Sequence, residues 1–186
     1  IAPMAALGAV ASLWFGFAAQ PWALPVMALA GAGAGMALLA LIAGRTASGT
    51  SGIALFTLAG LMIASLAGTL TSLAISMAPN AFAMSEIVTW LMGALTDRGW
   101  REVIIAAPLT LAGIACLIAA GRSLDALTLG EVAARSLGVE PGRLLVWLVL
   151  GVGLNVGSGV AVAGIVGFVG LIVPHLVRPL TDRRPS

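Results

Sequence analysis

The sequence holds few side chains suited to covalent or metal chemistry: one histidine, one cysteine and seven carboxylates among 186 residues. His175, in the string VPHLVR, invites a metal- or haem-ligand reading because an imidazole at the end of an apolar segment is unusual. A protein metal site needs several convergent donors, and no second His, Cys or carboxylate lies beside it in the sequence. His175 is therefore read as structural, helping Arg178 to satisfy backbone or loop acceptors where Pro174 frees a carbonyl in the preceding turn. Cys116 sits inside an apolar run without a disulfide partner and reads as small core filler. Asn155 is the one strongly polar side chain deep in an apolar segment. An unpaired amide is costly in hydrocarbon, so it should face other helices, with interhelical bonding favoured, or line a polar path between them. The GAGAG string from Gly31 to Gly35 has no preceding strand and no following Lys, so it is not a phosphate-cradling loop. The reading therefore contains no catalytic residue, no cofactor and no metal site.

What remains is the elements that would position these residues. Hydrophobic residues make up 60% of the chain and charged residues 9%, with a mean hydropathy of +1.11. Soluble domains carry roughly 25% charged residues, and no single core of this size could hide so much apolar surface. Lipid must be the main solvent. The formal net charge is +2, and all nine cations are dispersed arginines, which excludes a nucleic-acid surface of clustered cations and stacking aromatics.

A bilayer core needs about 20 helical residues per crossing. Six spans fit: residues 1–19, 23–43, 52–78, 103–120, 144–161 and 164–178, the last two separated around Ser158, Gly159 and Gly164. Alternating them places Arg45, Arg122, Arg135, Arg143, Arg178, Arg183 and Arg184 on one side, and only Arg98 and Arg101 on the other. Since cytoplasmic loops retain Arg, the chain is predicted to begin and end on the cytoplasmic side.

Two loops hold most of the polar residues. The outer one, 79–102, has Trp90 and Trp100 flanking a short apolar run, which reads as a helix at headgroup level. Its Glu86, Asp97, Arg98, Arg101 and Glu102 could receive a charged partner or simply solvate the surface. In the inner loop, 121–143, Thr128 and Glu131 have capping-box spacing, and Val132, Ala133, Ser136 and Leu137 share a helical face. Gly138 can end that helix in the left-handed conformation, and Pro141 suits the first position of a second short one. The result would be a compact knob on the cytoplasmic face. Gly31 with Gly35, and Gly153 with Gly157, have the spacing that lets membrane helices approach closely.

The string GIVGFVGLIVPHLVRPLTDRR, Gly164 to Arg184, resembles the signature of the permeases of iron-chelate (siderophore or haem) and cobalamin ABC importers, with Gly167, Phe168, Gly170, Pro174, His175 and Arg178 carrying the match. LGEVAARSLGV, Leu129 to Val139, is similar to that family's cytoplasmic coupling loop, and TWLMGAL, Thr89 to Leu95, to its outer segment after the fifth span. Pro179 and Thr181 depart from the commoner glycine-containing link. The resemblance implies an all-α polytopic bundle: six transmembrane helices, the third to eighth of a ten-helix subunit, plus short outer and coupling helices. The chain is expected to be an internal fragment. The resemblance also implies a second permease copy, two ATP-binding cassette subunits beneath, and a periplasmic or lipid-anchored binding protein above, in the bacterial inner membrane. Glu131, Arg135, Ser136, Leu137 and Gly138 would then contact the ATPase. Permeases for bare metal ions should carry intramembrane His or carboxylates, and ion-coupled secondary transporters buried ionisable groups. The predicted spans contain neither pattern.

Overall fold

The structure is a computed structural model that describes residues 1–17, 20, 22–46, 50–95, 99–167 and 169–177. The described chain is helical: α1 (Ala2–Trp14), α2 (Ala23–Thr46), α3 (Thr50–Ser76), α4 (Ala81–Leu91), α5 (Trp100–Leu127), α6 (Glu131–Ser136), α7 (Pro141–Ala163) and α8 (Val169–Val177). Four of the expected spans are helices long and apolar enough to cross a membrane: α2 over Ala23–Ile42, α3 over Ala54–Ser76, α5 and α7. The first and last expected spans are shorter, with 13 helical residues in α1 and 9 in α8.

Helix α1 packs against α2, α3, α4 and α7, while α5 lies against α7 and carries α6 at its end. The buried residues are small. Ala5, Ala32 and Val160 form one cluster, Ala9, Ala28 and Ala161 a second, and Val10, Leu13 and Ile87 a third. Large apolar side chains such as Leu61, Met62 and Leu66 point outward. This inversion follows from the solvent. Lipid tails are as apolar as Leu, so burying Leu gains little, whereas small residues let backbones meet and maximise dispersion contacts.

The glycine spacings act as the sequence suggests. A Cβ on Gly31 would strike Met4 O and Gly8 Cα, and one on Gly35 would meet Met4. On α7, Gly153 receives Met36 and Gly157 receives Ala32, both from α2. On the opposite face of α7, Gly151 receives the Leu117 side chain of α5.

Four local expectations change. Ser158 and Gly159 remain helical within α7, because Ser158 is fully buried and its hydroxyl lies 3.0 Å from that of Thr110 on α5. Of the three residues expected at the turn only Gly164 breaks the helix, with φ 76° and ψ −163°. Residues 121–127 are the last turns of α5, and Pro141 opens the long helix α7 and not a second short one. Thr128 does not cap α6. It ends α5 and donates its hydroxyl to Asp125 O at 2.7 Å, while Gly130, with φ 96°, is the residue that opens α6.

Candidate functional site

Helix α5 has 28 residues, about 42 Å at 1.5 Å per residue, so its termini define two ends of the bundle. One end gathers α4, the start of α5 and the end of α7. Asn80 caps α4 by accepting a hydrogen bond from Ala83 N–H at 2.8 Å. Trp14 donates its indole N–H to Met77 O at 3.1 Å, which ties α1 to the end of α3.

The short helix expected between residues 79 and 102 is present as α4, and its Trp90 faces the bundle. Its ring is half-buried and packs against all three core clusters. Trp100, by contrast, is largely exposed. Gly93, with φ 68°, follows α4 and meets Gly164, with the Ala94 N–H bonded to Ala163 O at 2.8 Å. That bond and the glycine contact close this corner of the bundle.

The polar residues singled out on this outer segment divide. Arg101 lies with its guanidinium carbon 4.1 Å from the centroid of the Trp22 ring. Glu102 accepts the Gly99 N–H at 2.8 Å, so it works as the N-terminal clamp of α5. These contacts use part of each side chain: Arg101 Nη2 is buried and has no hydrogen-bond partner among the described residues. Glu86 is half-buried on α4, and Asp97 and Arg98 lie outside the described residues.

At the opposite end, α6 is held in a rigid corner. Gly138, with φ 84°, lies just past its C-terminus, with Gly138 N–H bonded to Arg135 O and Val139 N–H to Ala134 O, both at 3.0 Å. This Schellman arrangement satisfies the last carbonyls of the helix. Ala134 is fully buried, whereas Leu129, Val132 (83% exposed) and Leu137 project outward. Ser136 is exposed and donates its hydroxyl to Val132 O at 3.1 Å. Arg135 is exposed, and Glu131 opens the helix. The structure thus gathers Arg135, Ser136, Leu137 and Gly138 on one tight corner with an apolar tip.

Asn155 lies between α7 and α5. Its amide donates to Gly151 O of its own helix at 2.7 Å and covers Gly113, where a Cβ would strike it. The bond between helices is made by Ser158 with Thr110 and not by Asn155. His175 is exposed on α8, and Arg178 with the segment after it, where its expected partners would lie, falls outside the described residues. Pro174 and Gly170 are helical, Gly167 precedes α8, and Phe168 and Arg178 lie outside the described residues.

One feature escapes the sequence reading. Ser65, Thr69, Ser72 and Ser76 recur along α3 at i, i+4, i+7 and i+11 and are all exposed. Thr69 and Ser76 donate to the carbonyls of Ser65 and Ser72, each at 3.0 Å, which satisfies those hydroxyls without a neighbouring helix. The spacing is visible in the sequence, but only the packing shows that the stripe is left uncovered.

A small-residue bundle of long apolar helices with shaped corners at its two ends is a multi-pass membrane protein. Residues 1–186 match the model of the FecCD transport family, and the chain belongs to that family. It is 36% identical over 185 residues to the ABC transporter permease protein YvrB of Bacillus subtilis (strain 168), covering 97% of this chain and 52% of that protein. It is 33% identical to the Fe(3+)-citrate import system permease protein YfmD of the same organism, over 95% and 51% of the two chains. It is 34% identical to the cobalamin import system permease protein BtuC of Halobacterium salinarum (strain ATCC 700922 / JCM 11081 / NRC-1), over 94% and 46%. Among solved structures it is similar to a metal-chelate type ABC transporter in an inward-facing conformation, with TM-score 0.85, 27% identity and coverage of 99% of this chain and 57% of that one. The chain spans about half the length of the curated relatives it matches.

Proposed function

We propose that this chain is part of the translocation subunit of an ABC importer that moves an iron chelate or cobalamin across the bacterial inner membrane, driven by ATP hydrolysis in a partner subunit. The observation that carries this reading is the α6 corner. An apolar tip of Leu129, Val132 and Leu137 stands uncovered at the arginine-bearing end of the bundle. Exposed apolar residues on a rigid polar platform mark a protein contact. Through Ala134 and the Schellman turn, a push on this tip would reach α5 and α7 together.

In this reading two ATP-binding cassette subunits receive the two α6 corners of a permease pair. A binding protein docks at the opposite end, with Glu86, Asp97, Arg98, Arg101 and Glu102 of the 79–102 segment as the candidate contacts. The hydroxyl stripe of α3 is the surface best suited to line the pathway against a second copy. It offers weak polar contacts without a fixed charge, which suits a large cargo that must be released. Asn155 contributes by packing from α7 over Gly113 of α5.

Cross-linking from the α6 tip tests the assignment. In the full-length subunit assembled with its ATPase, Val132→Cys or Leu137→Cys should link to the ATPase through a short bifunctional maleimide, while Phe82→Cys on α4 should not. Linking from α4 and not from α6 would remove the coupling role.

A further inference from the structure

Beside the α6 corner lies an open cleft of about 600 Å³, bounded by the end of α5, residues 137–140 and the start of α7. Its two helical walls run in opposite directions, and each changes character at the same depth. On α5, Arg122 and Ser123 follow Ala119 by about one turn, or roughly 5 Å. On α7, Arg143 precedes Trp147 by about one turn, with Leu144 between them. The two helical walls thus carry cations and a hydroxyl toward the mouth and apolar and aromatic groups one turn deeper, while Leu137 and Val139 of the connecting segment add apolar surface at the rim.

Arg122 and Arg143 are both exposed, and neither makes a hydrogen bond or ion pair with another described residue. Glu140 also lines the mouth and offsets one of the two charges. A site with two guanidiniums and one carboxylate has a net charge of +1 when all are ionised, which matches a singly charged phosphodiester better than a free phosphate dianion. Arginine donates to phosphate oxygens in a forked geometry. Trp147, one turn deeper, sits where indoles favour the boundary between headgroups and hydrocarbon.

We infer that this cleft binds the phosphodiester headgroup of a membrane phospholipid, with Arg122 and Arg143 on the phosphate and the acyl chains running along Ala119, Leu144 and Trp147. A polar protein segment docked here would use the charged groups alone and leave Ala119, Leu144 and Trp147 uncovered. A lipid uses both. The bound lipid would wedge between α5 and α7 beside the α6 corner and fix their spacing. The inference stands on the cleft and does not require the coupling role of α6.

The test uses the full-length subunit in complex with its ATPase, delipidated in detergent and titrated with dioleoyl phosphatidylglycerol under native mass spectrometry. Arg122→Gln/Arg143→Gln should lower lipid occupancy about tenfold at a fixed lipid concentration, the equivalent of about 1.4 kcal/mol. Ala119→Leu, which fills the apolar floor and leaves the charges alone, should lower it as well, and it serves as the readout if the double variant does not assemble. Glycerophosphoglycerol and inorganic phosphate, which share the headgroup chemistry without chains, should bind far more weakly than the lipid. Three results would overturn the inference: unchanged occupancy in both variants, headgroup or phosphate binding as strong as that of the lipid, or loss of the ATPase subunit from the double variant while lipid occupancy stays the same.

Discussion

Replacing Gly164 with alanine should destabilise the bundle by about 4 kcal/mol, the sum of two effects that share one cause. The backbone there has φ 76° and ψ −163°, a region open essentially to glycine alone, and holding any other residue in it costs about 1–3 kcal/mol. A Cβ at this position would also strike Trp90 O and approach Gly93 Cα to 2.8 Å. Those are backbone atoms at the end of a helix and cannot swing aside as a flexible side chain could, so overpacking adds about another 1–3 kcal/mol. The chain can relieve the strain only by moving α4 away from α7. That movement would break the Ala94 N–H to Ala163 O bond and draw Trp90 off the three clusters it joins. Thermal unfolding of the purified full-length subunit, followed by tryptophan fluorescence, should show a midpoint several degrees lower. Gly167→Ala is the internal control. An added Cβ there meets nothing within 4 Å, so its midpoint should match the parent protein. Equal midpoints for the two variants would mean that the corner between α4 and α7 does not hold the bundle together.

The second large effect is expected at the α6 tip and should be functional without being structural. Val132 and Leu137 are exposed in the subunit by itself, so serine at both positions removes apolar surface from a contact and leaves the core untouched. The backbone bonds that close the corner, Gly138 N–H to Arg135 O and Val139 N–H to Ala134 O, involve neither side chain. If each side chain is buried on docking, its loss costs about 1.5 kcal/mol or more, and the pair together about 3 kcal/mol, or roughly a hundredfold in affinity for the ATPase. Val132→Ser/Leu137→Ser should therefore keep the parent unfolding midpoint and membrane yield, while cargo-stimulated ATP hydrolysis collapses at subunit concentrations that saturate the parent. Normal stimulation in this variant would show that the tip does not carry the contact.

The fold class was legible because it rests on composition and on periodicity over 20-residue windows, which lipid enforces without regard to detail. The helix contacts at Gly31, Gly35, Gly153 and Gly157 were legible for a similar reason: spacing by four repeats one helical face, and membrane cores reward small residues on it. What failed were decisions between neighbouring residues that only tertiary contacts settle. Thr128 has the right spacing to cap α6, yet its hydroxyl is better used one turn back on Asp125 O, at the end of a helix that runs further than hydropathy suggests. Ser158 and Gly159 read as a turn, but Thr110 on the facing helix supplies a partner for the serine and keeps the segment helical. Trp90 reads as an interfacial anchor because tryptophans gather at headgroups, and only the packing reveals a small-residue pocket for its ring. Among the proposed site residues, the contacts of Arg101 with the Trp22 ring and of Glu102 with the Gly99 N–H were not legible, because each depends on where the start of α5 is held. The corner around Gly138 was legible because a left-handed glycine past a short helix is a local rule that distant contacts do not override.

The reading as an importer subunit stands or falls on transport. The full-length subunit, reconstituted in proteoliposomes with its ATPase inside and its binding protein outside, should accumulate ferric citrate or cobalamin only when ATP is present in the lumen. Accumulation should stop when Val132→Ser/Leu137→Ser replaces the parent subunit. Uptake driven by an ion gradient without ATP, or ATP hydrolysis by the complete assembly with no accumulation of either cargo class, would contradict it.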